Sequence, residues 1–490
     1  MNEMITFFKR YPQFVKQAES LQDASFYNEE SFAFVVALKF LLHPQMIVIV
    51  KENLLAAQQF YNHLYPLLKE NCQLYAVDEV TKFTSLATSP EMEATRLYIL
   101  AQSCQKKPMV VITHTMALQR LTPKKSLFLQ QILHFKVGDK QSKKNIMQQL
   151  VKLGYQSVLQ VTQSFEFSSR GGVIDIFSIQ YAFPVRIEFF DDEVESIRFF
   201  DPQTQRTTSV IQSCEIMPAT EFLIDDITFQ QGIQKIEEVL QQQKQHCALN
   251  LTLEERVNED ITKLINYQWD ESLFKYYGYF ENHEPLTSYF EEALFYICNE
   301  NQIKENSQFF ETEIEETTME MFEKGQSLHS LFMFYSLSEI LSAIKNLYPI
   351  EIGLQTTIQP LIAFLKVDCF DFNYHVLETA FQDWLEENKT IYIGLENAIH
   401  YDSLKSYLLE KQYVFQEIET LPFPLKKGIY LSHHDFHLGL DFDAFSLVVL
   451  GENEIFKRQY RTRGHFSRFK NAVTIDRIED LKEGDYVVHE

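Results

Sequence analysis

The chain has few cysteine, glycine and tryptophan residues for its 490 positions, with 6, 14 and 2 of them. The cysteines are far apart and form no C-x-x-C pair: Cys72, Cys104, Cys214, Cys247, Cys298 and Cys369. This spacing argues against a disulfide framework and against a cysteine-based zinc site. We therefore expect isolated thiols in the core or at the surface.

Basic residues are also scarce. The chain carries 44 Lys and Arg against 68 Asp and Glu, a formal net charge of −24. A protein that coats nucleic acid needs clustered positive charge, so only local basic patches remain open. Apolar runs such as residues 32–42 are interrupted by Lys39 and are too short to span a membrane. The first residues lack the layout of a secretory signal, so a cytoplasmic location is expected.

The phosphate-binding motif G-x-x-x-x-G-K-[ST] is absent from the 490 residues. The place before the first helix reads "ASFYNEES", where Glu29 and Glu30 would repel a phosphate. We expect no nucleotide or other cofactor in this segment and no catalytic residue. The acidic run from Asp191 to Glu193 is typical of a solvated hairpin turn.

The histidines of "LSHHDFHLGLDFD" suggest a metal site at first sight. His433, His434 and His437 lie near Asp435 in a predicted strand-to-helix loop. Such clusters are more often hydrogen-bonded surface residues than ligands. No metal site is therefore expected.

Hydrophobic periodicity divides the chain into regions of different character. Near the N-terminus Ser31 is a candidate N-cap, followed by a helix, a strand at Met46–Val50 and a second helix. A further helix at Glu91–Gln102 and a strand at Met109–Thr113 complete an alternation typical of a parallel sheet covered by helices. Residues 218–345 are rich in predicted helix. Residues 346–456 again alternate between predicted helices and strands.

Residues 132–217, which lie between the N-terminal alternation and the helix-rich region, show a different pattern. Residues 133–139 and 158–167 are predicted strands, separated by a helix near Ser142–Leu153. Three strand-like runs follow at close spacing, at Val173–Phe177, Val185–Phe190 and Val194–Phe200, which predicts an antiparallel meander.

Alternation along "VRIEFF" places Val185, Ile187 and Phe189 on one face and Arg186, Glu188 and Phe190 on the other. Arginine beside an exposed aromatic ring is typical of a protein-binding hot spot, and Arg170 at the start of the glycine turn in "SSRGGVIDIF" could join it. Alternatively, Phe190 packs under a loop and the arginines form surface ion pairs of about 0–1 kcal/mol each. The pattern alone favours neither interpretation.

These residues also resemble a known family. The stretch "FEFSSRGGVIDIF…PVRIEFFDDEVESIRFFDPQTQR" is similar to the inserted domain shared by the excision-repair protein UvrB and the transcription-repair coupling factors (Mfd). "SPEMEATRLYIL", "ALQRLTP", "KLGY", "MPATEFLI" and "LVVLGENEIF" resemble successive landmarks of the coupling factors. "DLKEGDYVVHE" is similar to the first strand of their RNA polymerase-interacting domain, so we expect the chain to be a piece of a longer protein.

The resemblance implies an α/β multidomain layout, in which a degenerate UvrB-like parallel α/β domain carries an inserted α+β domain and a second small α/β domain follows. The implied ranges are 1–120 for the first part of the UvrB-like domain, 132–217 for the inserted UvrA-binding domain, 218–345 for the helix-rich continuation, 346–456 for the small α/β domain, 457–471 for a basic linker and 472–490 for the start of the polymerase-interacting domain.

Function and partners follow from the same resemblance. The whole coupling factor, a cytoplasmic monomer, is expected to displace lesion-stalled RNA polymerase by ATP-driven translocation on double-stranded DNA and to recruit UvrA. ATP and magnesium would belong to a motor beyond Glu490. The family's UvrA contact falls on Arg170, Arg186 and Phe190, and the family usually has glycine where this chain has Phe165.

The basic linker has two interpretations. It could contact DNA or another domain through Lys457, Arg458, Arg461 and Arg463, or it could be a solvated tether, which is the simpler interpretation.

UvrB itself, an ATP-dependent enzyme that loads onto damaged DNA, is the rival assignment. It keeps a phosphate loop and a tyrosine-rich hairpin, and the absence of both here favours the coupling factor.

Overall fold

The computed structural model describes residues 8–10, 12–19, 21, 25–26, 28–77, 90–246, 251–268, 271–325, 327–329, 331–352, 365–419, 426–435 and 439–457. By its internal contacts the chain forms two compact units. Unit 1 comprises residues 1–131 and 220–465, and unit 2 comprises residues 132–219 together with 466–490. Among the described residues, no helix combines the length and the apolar character needed to cross a membrane.

The α-helices are α1 (Pro12–Glu19), α2 (Glu29–Leu42), α3 (Leu54–Leu68), α4 (Pro90–Cys104), α5 (Thr115–Gln119), α6 (Lys125–Gln130), α7 (Lys143–Lys152), α8 (Asp226–His246), α9 (Leu251–Ile265), α10 (Glu300–Glu323), α11 (Leu337–Ala343), α12 (Tyr374–Glu386), α13 (Ala398–Glu410) and α14 (Glu452–Phe456).

The strands are β1 (Ser25–Phe26), β2 (Ile47–Lys51), β3 (Cys72–Tyr75), β4 (Val110–His114), β5 (Leu121–Pro123), β6 (Leu133–Lys136), β7 (Gln156–Ser157), β8 (Glu166–Arg170), β9 (Val173–Ile176), β10 (Val185–Phe190), β11 (Glu193–Phe200), β12 (Thr207–Ile211), β13 (Ser213–Ile216), β14 (His283–Pro285), β15 (Leu294–Cys298), β16 (Leu347–Ile352), β17 (Leu365–Lys366), β18 (Thr390–Gly394), β19 (Phe415–Glu417), β20 (Ile429–Ser432), β21 (Leu440–Phe442) and β22 (Leu447–Leu450).

Unit 1 contains two six-stranded sheets. The first is parallel in the order β1-β16-β15-β2-β4-β3, and the second is mixed in the order β17-β21-β22-β18-β20-β19. The alternation of helices and strands is thus confirmed as α/β. The sequence placed residues 347–352 at the start of the second α/β region, but β16 pairs with β15 and β1 in the first sheet.

Helix α2 lies between the two sheets of unit 1. Every residue from Ser31 to Phe40 is buried, because a helix that is apolar all round needs packing partners on each side. The ring of Phe34 meets Phe442 of β21 with centroids 5.5 Å apart. One hydrophobic core therefore joins both sheets through α2.

The start of α2 corrects one sequence expectation. Asn28, not Ser31, is the N-cap, and its Oδ1 accepts the backbone N–H of Ser31 at 2.8 Å. The amide of asparagine caps a free N–H as well as a hydroxyl does. Glu29 then lies in the first turn, 2.6 Å from the Nζ atom of buried Lys51, so this helix end is occupied by the chain's own ion pair.

Unit 2 is built on one sheet in the order β12-β11-β10-β9-β8-β7 and a two-stranded ribbon of β6 and β13. Strands β8 to β12 are antiparallel neighbours, which confirms the predicted meander. Helix α7 confirms the helix predicted near 142–153 and buries Ile146 and Leu150. The expected strand at 158–167 is wrong for most of its length, since only Glu166 and Phe167 belong to a strand, β8.

Candidate protein-docking face

The outer face of the unit 2 sheet carries the residues singled out in the sequence. Along β10, Val185, Ile187 and Phe189 are buried, whereas Arg186 and Glu188 are partly exposed and Phe190 is 76% exposed. The predicted alternation is confirmed. Phe190 lies open at the end of the strand and is not covered by a loop.

The register of the paired strands places Arg170 and Arg186 on the same side of the sheet as Phe190. Arg170 pairs with Val173, which pairs with Glu188, midway between Arg186 and Phe190 along β10. Strands lie about 4.8 Å apart and two residues along a strand span about 6.8 Å. The three predicted residues therefore lie on one side of the sheet, with Arg170 about 12 Å from each of the other two and Arg186 about 14 Å from Phe190. We call this side the outer face.

Arg186 is a fixed cation. Its Nε donates to Asp175 Oδ1 at 2.7 Å, and its Nη2 donates to Asp175 Oδ2 at 2.8 Å and to Gln205 Oε1 at 2.9 Å. The guanidinium carbon also lies 4.2 Å from the centroid of the Phe200 ring. The hydrogen bonds to Asp175 raise the pKa of Arg186 above its usual value, and together with Gln205 they fix the orientation of its planar guanidinium.

A third arginine on the outer face, Arg198, was missed by the sequence reasoning. Arg198 of β11 pairs across the ladder with Arg186, and its Nη1 donates to Glu188 Oε2 at 3.1 Å. Ser196 donates to the same oxygen at 2.6 Å, and this bond, aided by Arg198, lowers the pKa of the Glu188 carboxyl. Strict alternation along "EVESIRFF" could not show this, because the β-bulge in the β10–β11 ladder puts buried Val194 and outward-facing Arg198 on opposite faces although they are four residues apart.

Arg170 stands beside a turn that requires glycine. A Cβ atom on Gly172 would lie 2.8 Å from the backbone oxygen of Phe189, and Gly171 has a left-handed φ of +55°. A side chain is therefore excluded at Gly172 and strained at Gly171. The exposed Arg170 guanidinium donates to the carbonyl of Leu159, so it is anchored at one end and open to solvent.

The loop from residue 158 to residue 165 explains why the predicted strand is missing. The buried carboxylate of Glu166 accepts the backbone N–H groups of Thr162 and Gln163 at 2.8 and 3.0 Å and the side-chain amide of Gln163 at 2.9 Å. These bonds replace a strand ladder. They hold Leu159 on the surface with 89% of its area exposed.

Phe165, the departure from the family pattern, keeps a backbone conformation suited to glycine. Its φ is +70°, in the left-handed region, where a non-glycine residue costs roughly 1–2 kcal/mol. The side chain is buried and meets Tyr155 edge-on, with centroids 6.3 Å apart. Burial of the ring offsets the backbone strain.

The other candidate residues lie in unit 1. Lys457 forms an ion pair with Asp371, with Nζ 2.6 Å from Oδ2, while Arg458, Arg461 and Arg463 lie outside the described residues. His433 stacks on Tyr401 with centroids 3.7 Å apart, and His437 is also outside them. Within the described ranges, His, Cys, Asp and Glu side chains form no group of three suited to a metal ion.

Comparison with known proteins gives the chain a context. Residues 133–222 match the model of the UvrB interaction domain. The chain is 26% identical over 456 residues to the transcription-repair-coupling factor of Bacillus subtilis, covering 90% of this chain and 39% of that protein. The corresponding proteins of Staphylococcus epidermidis and Staphylococcus aureus are 25% and 24% identical, with 93% of this chain and 40% of each relative covered.

The chain thus spans about two-fifths of the length of the curated relatives it matches. The matched interaction domain includes Arg170, Arg186 and Phe190, so the outer face lies inside it. The predicted resemblance is confirmed: over about nine-tenths of its length the chain is similar to the N-terminal part of transcription-repair-coupling factors, and its residues 133–222 match the UvrB interaction domain.

Proposed function

We propose that the outer face of unit 2 binds UvrA and thereby links stalled transcription to excision repair. The observation that carries the proposal is the exposed ring of Phe190 beside held guanidinium groups on one sheet face. An aromatic ring that loses its water on binding, flanked by arginines, is the usual composition of an interface hot spot. The similarity to coupling factors and the match to the interaction domain support UvrA as the partner.

In the whole protein this segment is the recruiting part. A motor outside the 490 residues would hydrolyse ATP with magnesium, translocate on double-stranded DNA and displace RNA polymerase stalled at a lesion. Unit 1 would support the docking face without binding a nucleotide. The ion pair between Glu29 and Lys51 at the start of α2 favours this division of work over an ATP-dependent, UvrB-like loading enzyme.

The test is the affinity of purified UvrA for the 490-residue chain, measured by titration calorimetry. Phe190→Ala removes the exposed ring and is expected to weaken binding by about 2 kcal/mol or more, roughly thirtyfold. Arg186→Ala is expected to have an effect of similar size, since it also leaves Asp175 unpaired.

The matched control is Val414→Ala, because Val414 is an exposed apolar residue of unit 1 and lies outside the outer face. Its affinity is expected to equal that of the unchanged chain. Equal affinity of the Phe190→Ala variant would remove the docking site from the outer face. Complete lack of UvrA binding by the unchanged chain would remove UvrA as the partner.

A further inference from the structure

The loop from residue 158 to residue 165 presents an apolar side chain to water. Leu159 is 89% exposed, and no large apolar side chain in the described ranges is more exposed, Phe190 included at 76%. Single exposed leucines are common on protein surfaces, so the surroundings of Leu159 decide whether it has a role. Covering such a side chain is favourable, and a partner that does so gains affinity.

The backbone of Leu159 is held in place. Its carbonyl accepts hydrogen bonds from the hydroxyl of Ser168, at 3.0 Å, and from the guanidinium of Arg170. Val161 is buried, and the carboxylate of Glu166 binds the backbone N–H groups of the next two residues, at 2.8 and 3.0 Å. A loop that is fixed before binding loses little conformational entropy when a partner covers it.

This loop borders the outer face. Ser168 pairs with Asp175 in the ladder, and Asp175 pairs with Arg186. The hydroxyl that holds Leu159 therefore lies on the same side of the sheet as the outer face. Strand β7, which leads into the loop, is three strands from β10, a distance of about 14 Å.

One partner can cover this distance. A protein interface of ordinary size buries about 800 Å² on each side, which corresponds to a patch about 30 Å across. Leu159 and Phe190 therefore fit within a single interface, with Arg170 between them. The hydrogen bond from Arg170 to the Leu159 carbonyl joins the loop to the outer face directly.

Arg170 differs in charge balance from the other two arginines of the outer face. Arg186 and Arg198 each form an ion pair with a carboxylate of the same sheet. Arg170 has no carboxylate partner among the described residues, and its guanidinium donates to the neutral carbonyl of Leu159. The positive charge beside Leu159 is therefore available to a carboxylate of a binding partner.

We propose that Leu159 and Arg170 form a second anchor of the docking face, separate from the first anchor at Phe190. An apolar pocket of the partner receives the side chain of Leu159, and a carboxylate at the rim of that pocket pairs with Arg170. The inference rests on the proposed function, since UvrA is the partner in both. It adds the chemistry that the surface of UvrA must carry opposite the loop.

Titration calorimetry of purified UvrA with the 490-residue chain tests the second anchor. Leu159→Asn removes the apolar contact and is expected to weaken binding about tenfold. Leu159→Asp has the same size but brings a negative charge to the partner's carboxylate, so binding should be weaker by roughly another fivefold at low salt. The matched control is Val414→Asn, which changes an equally exposed apolar residue of unit 1 and should leave the affinity unchanged.

The outcomes separate this inference from the proposed function. If Phe190→Ala weakens binding while both Leu159 variants bind like the unchanged chain, the second anchor is overturned and the docking face remains. If the unchanged chain does not bind UvrA, both are overturned. Equal weakening by Leu159→Asn and Leu159→Asp would overturn the carboxylate of the partner. Thermal melting of the Leu159 variants should match the unchanged chain, because the side chain already lies in water.

Hydrogen exchange gives a second measurement without any substitution. Addition of UvrA is expected to slow the exchange of the amide hydrogens of residues 159–161 by about tenfold or more, because a covered loop opens less often. The amides of residues 412–414 in unit 1 should keep their rates. Slower exchange at residues 189–191 with unchanged exchange at 159–161 would confine the contact to Phe190 and overturn the second anchor.

Discussion

The parallel sheet of unit 1 and the antiparallel meander of unit 2 differ in how many of their faces are buried. In the parallel sheet of unit 1, strand β2 is buried at every residue, with helices covering it. In unit 2, strand β10 alternates between buried and open residues and leaves Phe190 in water. A sheet buried on both faces offers only its edges and ends to a partner, whereas a half-covered sheet offers an area.

Arginine–carboxylate pairs show the same difference. In unit 1, Arg96 makes two hydrogen bonds to buried Glu221, at 2.9 and 2.8 Å, and Arg120 makes a third at 3.3 Å. In unit 2, Arg186 holds Asp175 by two bonds of similar length, but this pair is partly exposed to water. Pairs of similar geometry are therefore fully buried in unit 1 and partly exposed in unit 2.

The largest change in stability is expected when the buried pair is broken. Glu221→Ala leaves Arg96 and Arg120 as uncompensated buried charges, so the free energy of unfolding of unit 1 should fall by about 3–5 kcal/mol. Urea unfolding followed by intrinsic fluorescence measures it. A loss below 1 kcal/mol would show that water or other groups replace the carboxylate.

Lowering the pH should weaken the same buried pair by protonating the carboxyl of Glu221. Burial alone would raise the pKa of Glu221, but Arg96 and Arg120 outweigh it and the pKa is lowered. A carboxyl with a lowered pKa stabilises the fold above its unfolded value, near 4.3, and this contribution is lost as the pH falls through the folded value. As the pH falls below about 5, the free energy of unfolding should decrease less in Glu221→Gln than in the unchanged chain. An equal decrease in both proteins would contradict the lowered pKa of Glu221.

The next effect concerns the core of unit 2. Phe165→Ala removes a buried ring while keeping a strained left-handed residue, so stability should fall by about 3 kcal/mol. Phe165→Gly removes the same ring but also the strain, and should be about 1 kcal/mol less harmful than the alanine. Thermal unfolding of both variants measures the difference, and identical melting temperatures would argue against backbone strain at this position.

A smaller effect is expected at the surface pair. Asp175→Ala frees Arg186 from its bidentate partner but leaves the arginine in contact with water, so stability should fall by only about 1 kcal/mol. Urea unfolding of this variant and of Glu221→Ala under the same conditions compares the two losses of stability. Similar losses for the two carboxylates would mean that the outer face is less accessible than its exposure indicates.

The smallest effect belongs to Phe190. Phe190→Ala should change stability by no more than about 0.5 kcal/mol, because the ring is already in water. Circular dichroism melting should therefore superimpose on that of the unchanged chain. A large loss would mean that Phe190 supports the fold and would weaken its role in recognition.

Much of the candidate site could be predicted because it depends on strict alternation. The period of two in "VRIEFF" is enough to separate Ile187 from Arg186 and Phe190 once the segment is a strand. The loop that exposes Leu159 could not be predicted in this way. Its apolar residues resemble a strand, and only the hydrogen bonds of Glu166, together with the left-handed Phe165, prevent one.

The central strands of unit 1 show the same limit on a larger scale. Strand β15 lies within a region that the sequence marks as helix-rich, yet it pairs with β2, 247 positions earlier at Leu294 and Ile47. Local pattern carries no information on such distant pairing. The all-round apolar character of α2, in contrast, was visible in the residues 32–42 themselves.

The sequence by itself determined the type of the main elements, the alternation of β10 and the resemblance to coupling factors, because these depend on neighbouring residues or on short motifs. Tertiary structure alone decided that Arg186 is held by Asp175, that Phe190 stays uncovered and that Leu159 is exposed. Each of these depends on which distant segments meet, and that is set by the packing of the whole unit rather than by any local run of residues.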